Sequence, residues 1–294
     1  MTTRRTFAAG LGAAALPGIA GAQSAAPLKL AVIIANGDYD ADGRADASEM
    51  ARQRAQERGF VGDLPNTWFD GVRIGEALKR AGYDVDTVQN ALPVSMLGAV
   101  HRMAARARTA GGAAQCVVYY AGHGVQLGGR SYLVGVGAQL IADEMAAETA
   151  EDRMRIGLRI GAQHSDLVAA LPPARAPGFN LMLIDACRDN PWEPQIRAAV
   201  EAQGRAYVGE RAFAAMSPPP RTVIGFSTQP GQTAADGRLA AGSPFANAIA
   251  RRIVQPGMTV DSLVSSATGE VAGLSGAMQM PWVSGRLGDG TRLT

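Results

Sequence analysis

Apolar runs and helical patterns alternate along most of the chain. Short apolar or alternating runs, each closed by polar residues or glycine, predict six strands. They lie at residues 29–35, 83–88, 116–120, 180–184, 221–227 and 281–284. Apolar positions at helical spacing predict helices at residues 70–81, 94–109, 165–171 and 243–254. This alternation predicts an α/β fold, in which a mostly parallel sheet is covered by helices on both faces.

Two segments fall outside this pattern. Residues 141–165 are charged, and we expect them to form an inserted loop or helix. Residues 196–220 lie in a proline-rich stretch that is typical of an exposed linker. We therefore expect one domain over residues 28–290, with a larger part at 28–195 and a smaller part at 221–290.

The composition fits one such domain and excludes some partners. A chain of 294 residues with 47% hydrophobic residues can bury a sizeable core. The 28 basic and 26 acidic residues leave a net charge of +2 without a basic block, so no nucleic-acid partner is expected. Cys116 and Cys187 lie next to apolar runs and lack a disulfide-rich context, so both are expected as free thiols.

The N-terminus has the features of an export signal. Arg4 and Arg5 precede an apolar stretch at residues 8–20, and small residues follow at 20–22. This order predicts a twin-arginine-type signal peptide over residues 1–22 and a periplasmic or secreted protein. A short N-terminal helix is the alternative. No other run is long and apolar enough to span a bilayer, so no membrane association is expected after removal of the signal.

One histidine and one cysteine each follow a predicted strand. The carboxyl ends of parallel strands meet at one edge of a sheet, so His123 and Cys187 should lie at the same edge. Imidazole can convert a thiol into its nucleophilic thiolate, which predicts Cys187 as nucleophile and His123 as acid/base. The N–H groups of Gly124 and Cys187 are then candidate donors to an oxyanion. The alternative is that Cys187 is a small buried apolar residue.

Two motifs carry a family resemblance. Residues 119–124 (YYAGHG) and 183–192 (LIDACRDNPW) resemble the histidine and cysteine motifs of bacterial caspase-like peptidases, relatives of metacaspases in clan CD. Further matches follow in order, at residues 227–231, 235–237, 242–245 and 279–282. The resemblance implies a three-layer caspase-like fold with a six-stranded, mainly parallel sheet. It also implies a Cys-His dyad that cleaves peptide bonds and needs no cofactor for the chemistry.

The residues around Cys187 depart from the caspase pattern Gln-Ala-Cys-x-Gly. Asp185 and Asp189 stand two positions before and after the cysteine. An acidic residue at the first position resembles metacaspases, in which it contacts a basic P1 side chain. A carboxylate pairs with arginine and repels aspartate, so the resemblance predicts cleavage after Arg or Lys, with Asp185, Asp189 and Ser227 as substrate-binding residues. Alternatively, Asp185 braces the turn after its strand.

A calcium-loop pattern follows the first predicted strand. Residues 38–49 (DYDADGRADASE) carry acidic residues at positions 1, 3, 5, 9 and 12 and glycine at position 6, as EF-hand loops do. The candidate calcium ligands are Asp38, Asp40, Asp42, Asp46 and Glu49. A strand stands where an EF-hand has its first helix, so a solvated acidic loop is the alternative.

Three functions are therefore open. The first is a cysteine endopeptidase that hydrolyses peptides or proteins after basic residues. The second is a catalytically inert caspase-like module for binding or regulation, which the presence of both dyad residues disfavours. The third is an exported calcium-binding protein in which proteolysis is incidental.

Overall fold

The computed structural model describes residues 26–186, 190–207, 209, 217–229 and 239–294. Within these residues the strands are β1 (Lys29–Ala35), β2 (Asp84–Gln89), β3 (Gln115–Gly122), β4 (Gly124–Leu127), β5 (Arg130–Val134), β6 (Gly161–Gln163), β7 (Phe179–Ala186), β8 (Thr222–Phe226) and β9 (Trp282–Ser284). The helices are α1 (Glu49–Glu57), α2 (Asn66–Arg80), α3 (Pro93–Arg108), α4 (Ala142–Met145), α5 (Ala150–Ile160), α6 (His164–Ala170), α7 (Glu193–Ala202), α8 (Pro244–Ile253) and α9 (Val260–Leu274).

A six-stranded sheet with the order β2-β1-β3-β7-β8-β9 forms the centre of the fold. Neighbouring strands run parallel except β8 and β9, which pair antiparallel. The expected α/β fold with a mostly parallel sheet is confirmed. Strands β3 and β7 lie in the middle of the sheet, and every residue of both is buried. This explains why their sequences are continuous apolar runs without a polar face.

Two hydrophobic cores cover the two faces of the sheet. Successive side chains of a strand point to opposite faces, so Ile33 packs with α2, α8 and α9, whereas Val32 and Ile34 pack with α3 and α6. The resulting order of helices, sheet and helices is the expected three-layer arrangement.

Some elements have weak sequence signals. Helix α1 is polar and buries only Ala55, so it lacks an apolar stripe. A second sheet, with the order β4-β5-β6, packs on a third core cluster that includes Tyr39, Tyr132 and Trp192. The segment 141–165, expected as an inserted loop or helix, contains α4, α5 and β6. Helix α7 overlaps the beginning of the stretch predicted as a linker.

The expectations for cysteines and membrane segments have different outcomes. Cys116 is a free, fully buried thiol, and burial raises its pKa to about 12. Cys187 and the signal segment 1–22 lie outside the described residues. Among the described helices, none combines the length and the apolar character that crossing a membrane requires.

Candidate active site

The carboxyl ends of β3 and β7 define the site. These strands pair in parallel, and the last pair in the register is Gly122 with Ala186. His123 directly follows Gly122, and Cys187 is joined directly to Ala186. Cys187 and Asp189 lie outside the described residues. The register nevertheless brings the attachment points of the predicted acid/base and the predicted nucleophile together on adjacent strands.

The side chain of His123 is held by a backbone carbonyl. Its Nε2 atom lies 2.8 Å from the carbonyl oxygen of Gly62. A carbonyl can only accept, so Nε2 carries the hydrogen, and Nδ1 of the neutral ring keeps the lone pair. Burial lowers the pKa of His123 to about 4, although the bond to Gly62 favours the protonated ring. The imidazole is therefore neutral at pH 7 and can accept a proton from a thiol at Nδ1.

The backbone of His123 is held as well. Its N–H donates to the hydroxyl oxygen of Tyr39 at 2.7 Å, and the two rings lie 4.8 Å apart. Its carbonyl accepts from the Tyr120 hydroxyl at 2.7 Å. Gly122 permits this packing, because a Cβ atom there would lie 2.5 Å from the Tyr120 oxygen and 2.6 Å from the Tyr39 oxygen.

Gly124, the candidate oxyanion donor, is the first residue of β4. It pairs with Leu133 at the start of β4, and Val134 N–H donates to the carbonyl of His123 at 2.9 Å. In an antiparallel ladder this bond flanks a non-hydrogen-bonded pair, so the N–H of Gly124 points away from β5. It is therefore oriented outside the ladder, next to His123.

Asp185 is a buried carboxylate among hydroxyl groups. Its Oδ2 atom accepts from Tyr119 at 3.2 Å and from Ser243 at 2.5 Å. The Ser227 hydroxyl also lowers the pKa of Asp185, although its buried Oγ atom forms no hydrogen bond of normal geometry. Burial is the largest effect and raises the pKa of Asp185 to about 6. The predicted residues Asp185 and Ser227 thus lie together, and Asp185 is separated from Cys187 by one residue.

A second buried carboxylate, Asp70, was not predicted as a site residue. It is 2% exposed, and its Oδ1 atom accepts from the N–H of Ser243 at 2.9 Å. Ser243, the N-cap of α8, therefore bridges Asp185 and Asp70. The Nη1 atom of Arg73 lies 3.6 Å from Asp70 Oδ1. A sequence signal existed, because Asp70 stands four residues before the buried Ile74 and thus on the apolar face of its helix.

The acidic segment brings together three of its five predicted ligands. Carboxylate oxygens of Asp38, Asp40 and Asp42 all lie within 4.8 Å of one another. Asp38 accepts from the N–H groups of Asp42 at 3.1 Å and Gly43 at 2.9 Å. Gly43 has a φ angle of 88°, which agrees with the sharp turn expected at position 6 of the loop.

The other two predicted ligands have different partners. Asp46 accepts from the N–H of Ser48, and Glu49 is the first residue of α1, where it pairs with Arg52. Neither belongs to the group of three carboxylates. A further carboxylate, Asp63, was also not predicted. It is buried and accepts from the N–H groups of Tyr39 at 2.7 Å and Asp46 at 3.0 Å.

Comparison with known proteins identifies the family. The sequence model of the caspase domain matches residues 28–289. No curated protein sequence matches the chain significantly. Among solved structures, caspase-1 from Spodoptera frugiperda is similar, with a TM-score of 0.53 and 17% identity over 88% of this chain and 86% of that chain. At this identity the likeness shows a common fold.

The caspase-domain model matches most of the chain. The substrates of this chain are therefore peptides or proteins. The fold agrees with it in strand order and layers. The chain therefore belongs to the caspase-domain family of cysteine peptidases.

Proposed function

We propose that the protein is a cysteine endopeptidase that hydrolyses peptide bonds after arginine or lysine, with Cys187 as nucleophile and His123 as acid/base. The observation that supports this specificity is a pair of buried carboxylates, Asp185 and Asp70, which Ser243 bridges. Asp185 stands two positions before Cys187 in the sequence. Hydrogen-bond donors and Arg73 offset part of the cost of burying two carboxylates, and a cationic ligand would offset more of it, so this pair supports a basic P1 residue.

The proposed reaction follows from the geometry of His123. Nδ1 takes the thiol proton, and the thiolate of Cys187 attacks the scissile carbonyl carbon. The oxyanion that forms would accept from the N–H groups of Gly124 and Cys187. His123 then gives its proton to the leaving amine as the C–N bond breaks, which leaves a thioester. In the second half, His123 takes a proton from water, hydroxide attacks the thioester, and the acid product leaves as the thiol is reprotonated.

The charges around Asp185 favour a basic P1 residue. Asp185 and Asp70 carry two negative charges when ionised, and Arg73 compensates one of them. An arginine or lysine at P1 would compensate the other, whereas aspartate would add a third negative charge in a buried place. The buried hydroxyl of Ser227 is a further acceptor for a guanidinium or ammonium group.

A P1 profile tests the proposed function. We expect the protein to cleave a peptide library mainly after Arg and Lys, and an arginyl electrophile directed at the active site should label Cys187. The Cys187→Ala variant is the control and should neither cleave nor be labelled. Preference for aspartate or for apolar P1 residues would contradict the specificity. Absence of both cleavage and labelling would indicate an inert module.

We also propose that residues 38–49 bind calcium. Three carboxylates within 4.8 Å repel one another, and a divalent cation would relieve this repulsion. Isothermal titration should show calcium binding by the wild type and weaker binding by Asp42→Asn. Glu57→Gln, which changes an exposed acid at the end of α1, is the matched control and should bind normally. No heat at millimolar calcium, or equal binding by Asp42→Asn, would leave the segment as a solvated acidic loop.

We further propose that the peptidase is exported from the cytoplasm. Residues 1–22, which lie outside the described residues, have the order of features of a twin-arginine-type signal. Export with cleavage would give a mature N-terminus near Gln23, which N-terminal sequencing of the exported protein would show. An N-terminus at Met1 would contradict it.

A further inference from the structure

The contacts of His123 with one segment, residues 39–63, form a closed ring. Its backbone N–H donates to the Tyr39 hydroxyl oxygen, and its Nε2–H donates to the Gly62 carbonyl. Asp63 directly follows Gly62 and accepts from the backbone N–H of Tyr39 at 2.7 Å. The ring runs from His123 to Tyr39, Asp63, Gly62 and back to His123. Asp63 and Gly62 are joined by their peptide bond, and the other three links are hydrogen bonds.

Tyr39 is fixed by its backbone and by its side chain. It is 0% exposed, its N–H donates to Asp63, and its carbonyl accepts from Gly137 N–H at 3.0 Å. Its hydroxyl also bonds to that of Tyr120, which donates to the carbonyl of His123. The backbone of His123 is therefore held on both sides by tyrosine hydroxyls.

Asp63 holds the other side of the ring. One oxygen accepts from Tyr39 N–H, and the other accepts from Asp46 N–H at 3.0 Å. Both oxygens of this buried side chain are thus used by backbone donors, so the carboxylate fixes the position of its own backbone relative to Tyr39. The carbonyl of the preceding residue, Gly62, is the acceptor that selects the Nε2–H form of His123.

We propose that Asp63 and Tyr39 are positioning residues, which hold His123 in the Nε2–H tautomer and so keep the lone pair on Nδ1 for the thiol proton. Neither residue touches the reacting atoms. Their effect passes through the Gly62 carbonyl on one side and the His123 backbone on the other. This inference rests on the proposed function, because positioning of His123 affects catalysis only if His123 is the acid/base.

Two variants test the inference. Asp63→Asn replaces one acceptor oxygen by a donor, and Tyr39→Phe removes the hydroxyl but keeps the ring. We expect each to lower kcat by about 10- to 100-fold, since a small displacement of a catalytic group has effects of this size, and to leave KM within about twofold. In ¹⁵N spectra of the imidazole, His123 should show the Nε2–H tautomer in the wild type and a mixture of tautomers in Asp63→Asn.

The chain offers matched controls for both variants. Asp261 accepts from the N–H groups of Leu287 at 2.8 Å and Gly288 at 2.7 Å, at the start of α9. Tyr83 is a buried tyrosine whose hydroxyl bonds to Gln115. Asp261→Asn and Tyr83→Phe should lower the Tm to a comparable extent without changing kcat or the tautomer. If Asp63→Asn does not fold, the kcat of Tyr39→Phe tests the inference instead.

The outcomes separate this inference from the proposed function. Wild-type kcat and tautomer in both variants would overturn the positioning role, even if hydrolysis after Arg is intact. A loss of kcat equal to that of the controls would also overturn it, because the effect would then be one of stability. If the wild type does not hydrolyse peptides, the proposed function fails, and the tautomer spectra still show whether the ring holds His123.

Discussion

Replacing Cys187 by alanine is expected to abolish peptide hydrolysis, and replacing His123 by alanine is expected to lower kcat by about 10²- to 10⁴-fold. The first change removes the nucleophile, and no other described residue at the site carries a thiol. The second leaves a thiol with a pKa of about 8.5, so little of it is thiolate at pH 7, and it also removes the proton donor to the leaving amine. Steady-state kinetics with an Arg-P1 peptide measures both effects.

Cys116 provides the control for this experiment. It is buried in the core beneath α3 and its pKa is raised to about 12, so it does not form a thiolate at neutral pH. Cys116→Ala should keep wild-type kcat and lose some stability, as expected for a smaller side chain in a packed core. Full activity of the Cys187→Ala protein would refute the proposed dyad.

The second large effect is expected at Asp185. Asp185→Asn keeps the shape of the side chain but removes the charge that would face the P1 cation. By comparison with other truncated buried charge pairs, kcat/KM for Arg-P1 substrates should fall by about 2–5 kcal/mol, or roughly 30- to 4,000-fold. A substrate with a neutral P1 residue of similar length is the control and should lose far less. An unchanged ratio of the two substrates would show that Asp185 does not determine specificity.

The same carboxylate predicts a pH dependence. Burial raises the pKa of Asp185 to about 6, so its charge is present above pH 6 and is lost as the pH falls through 6. The groups around it are the hydroxyls of Tyr119, Ser227 and Ser243, with Asp70 and Arg73 beyond Ser243. The preference for Arg over a neutral P1 residue in kcat/KM, which reports the free enzyme, should therefore decline from pH 7 to pH 5. His123 titrates near pH 4 and changes little in this range.

The centre of the sheet could be predicted because its inner strands are buried on both faces. Central strands such as β3 and β7 have no polar face, and their apolar runs stand out from the helices between them. Helix α1 could not be predicted, because it buries one residue and is defined by the Ser48 N-cap rather than by an apolar stripe. The strands of the second sheet are short, and their pairing depends on contacts between distant segments.

The residues of the site likewise divide into those that the sequence pattern predicts and those that only the fold brings together. His123 follows a strong strand and lies in a recognisable motif, so its place at the sheet edge followed from the sequence. Tyr39, Gly62 and Asp63 reach His123 only through the tertiary fold, because 60 or more positions separate each of them from it. The calcium-loop pattern predicted five ligands, but Glu49 is held in α1 and does not join the three carboxylates. Residue spacing alone did not reveal this helix.

The position of Ser243 in the chain affects the order of events during synthesis. Ser243 bridges Asp185 and Asp70, and it caps the N-terminus of α8, which packs on α2, a helix from a much earlier part of the sequence. At a synthesis rate of about 5–20 residues per second, Ser243 is made several seconds after Cys187. If Cys187 and Asp185 act as proposed, a nascent chain carries its nucleophile before Ser243 can join the two carboxylates, and cleavage selective for basic residues begins only after Ser243 has been made.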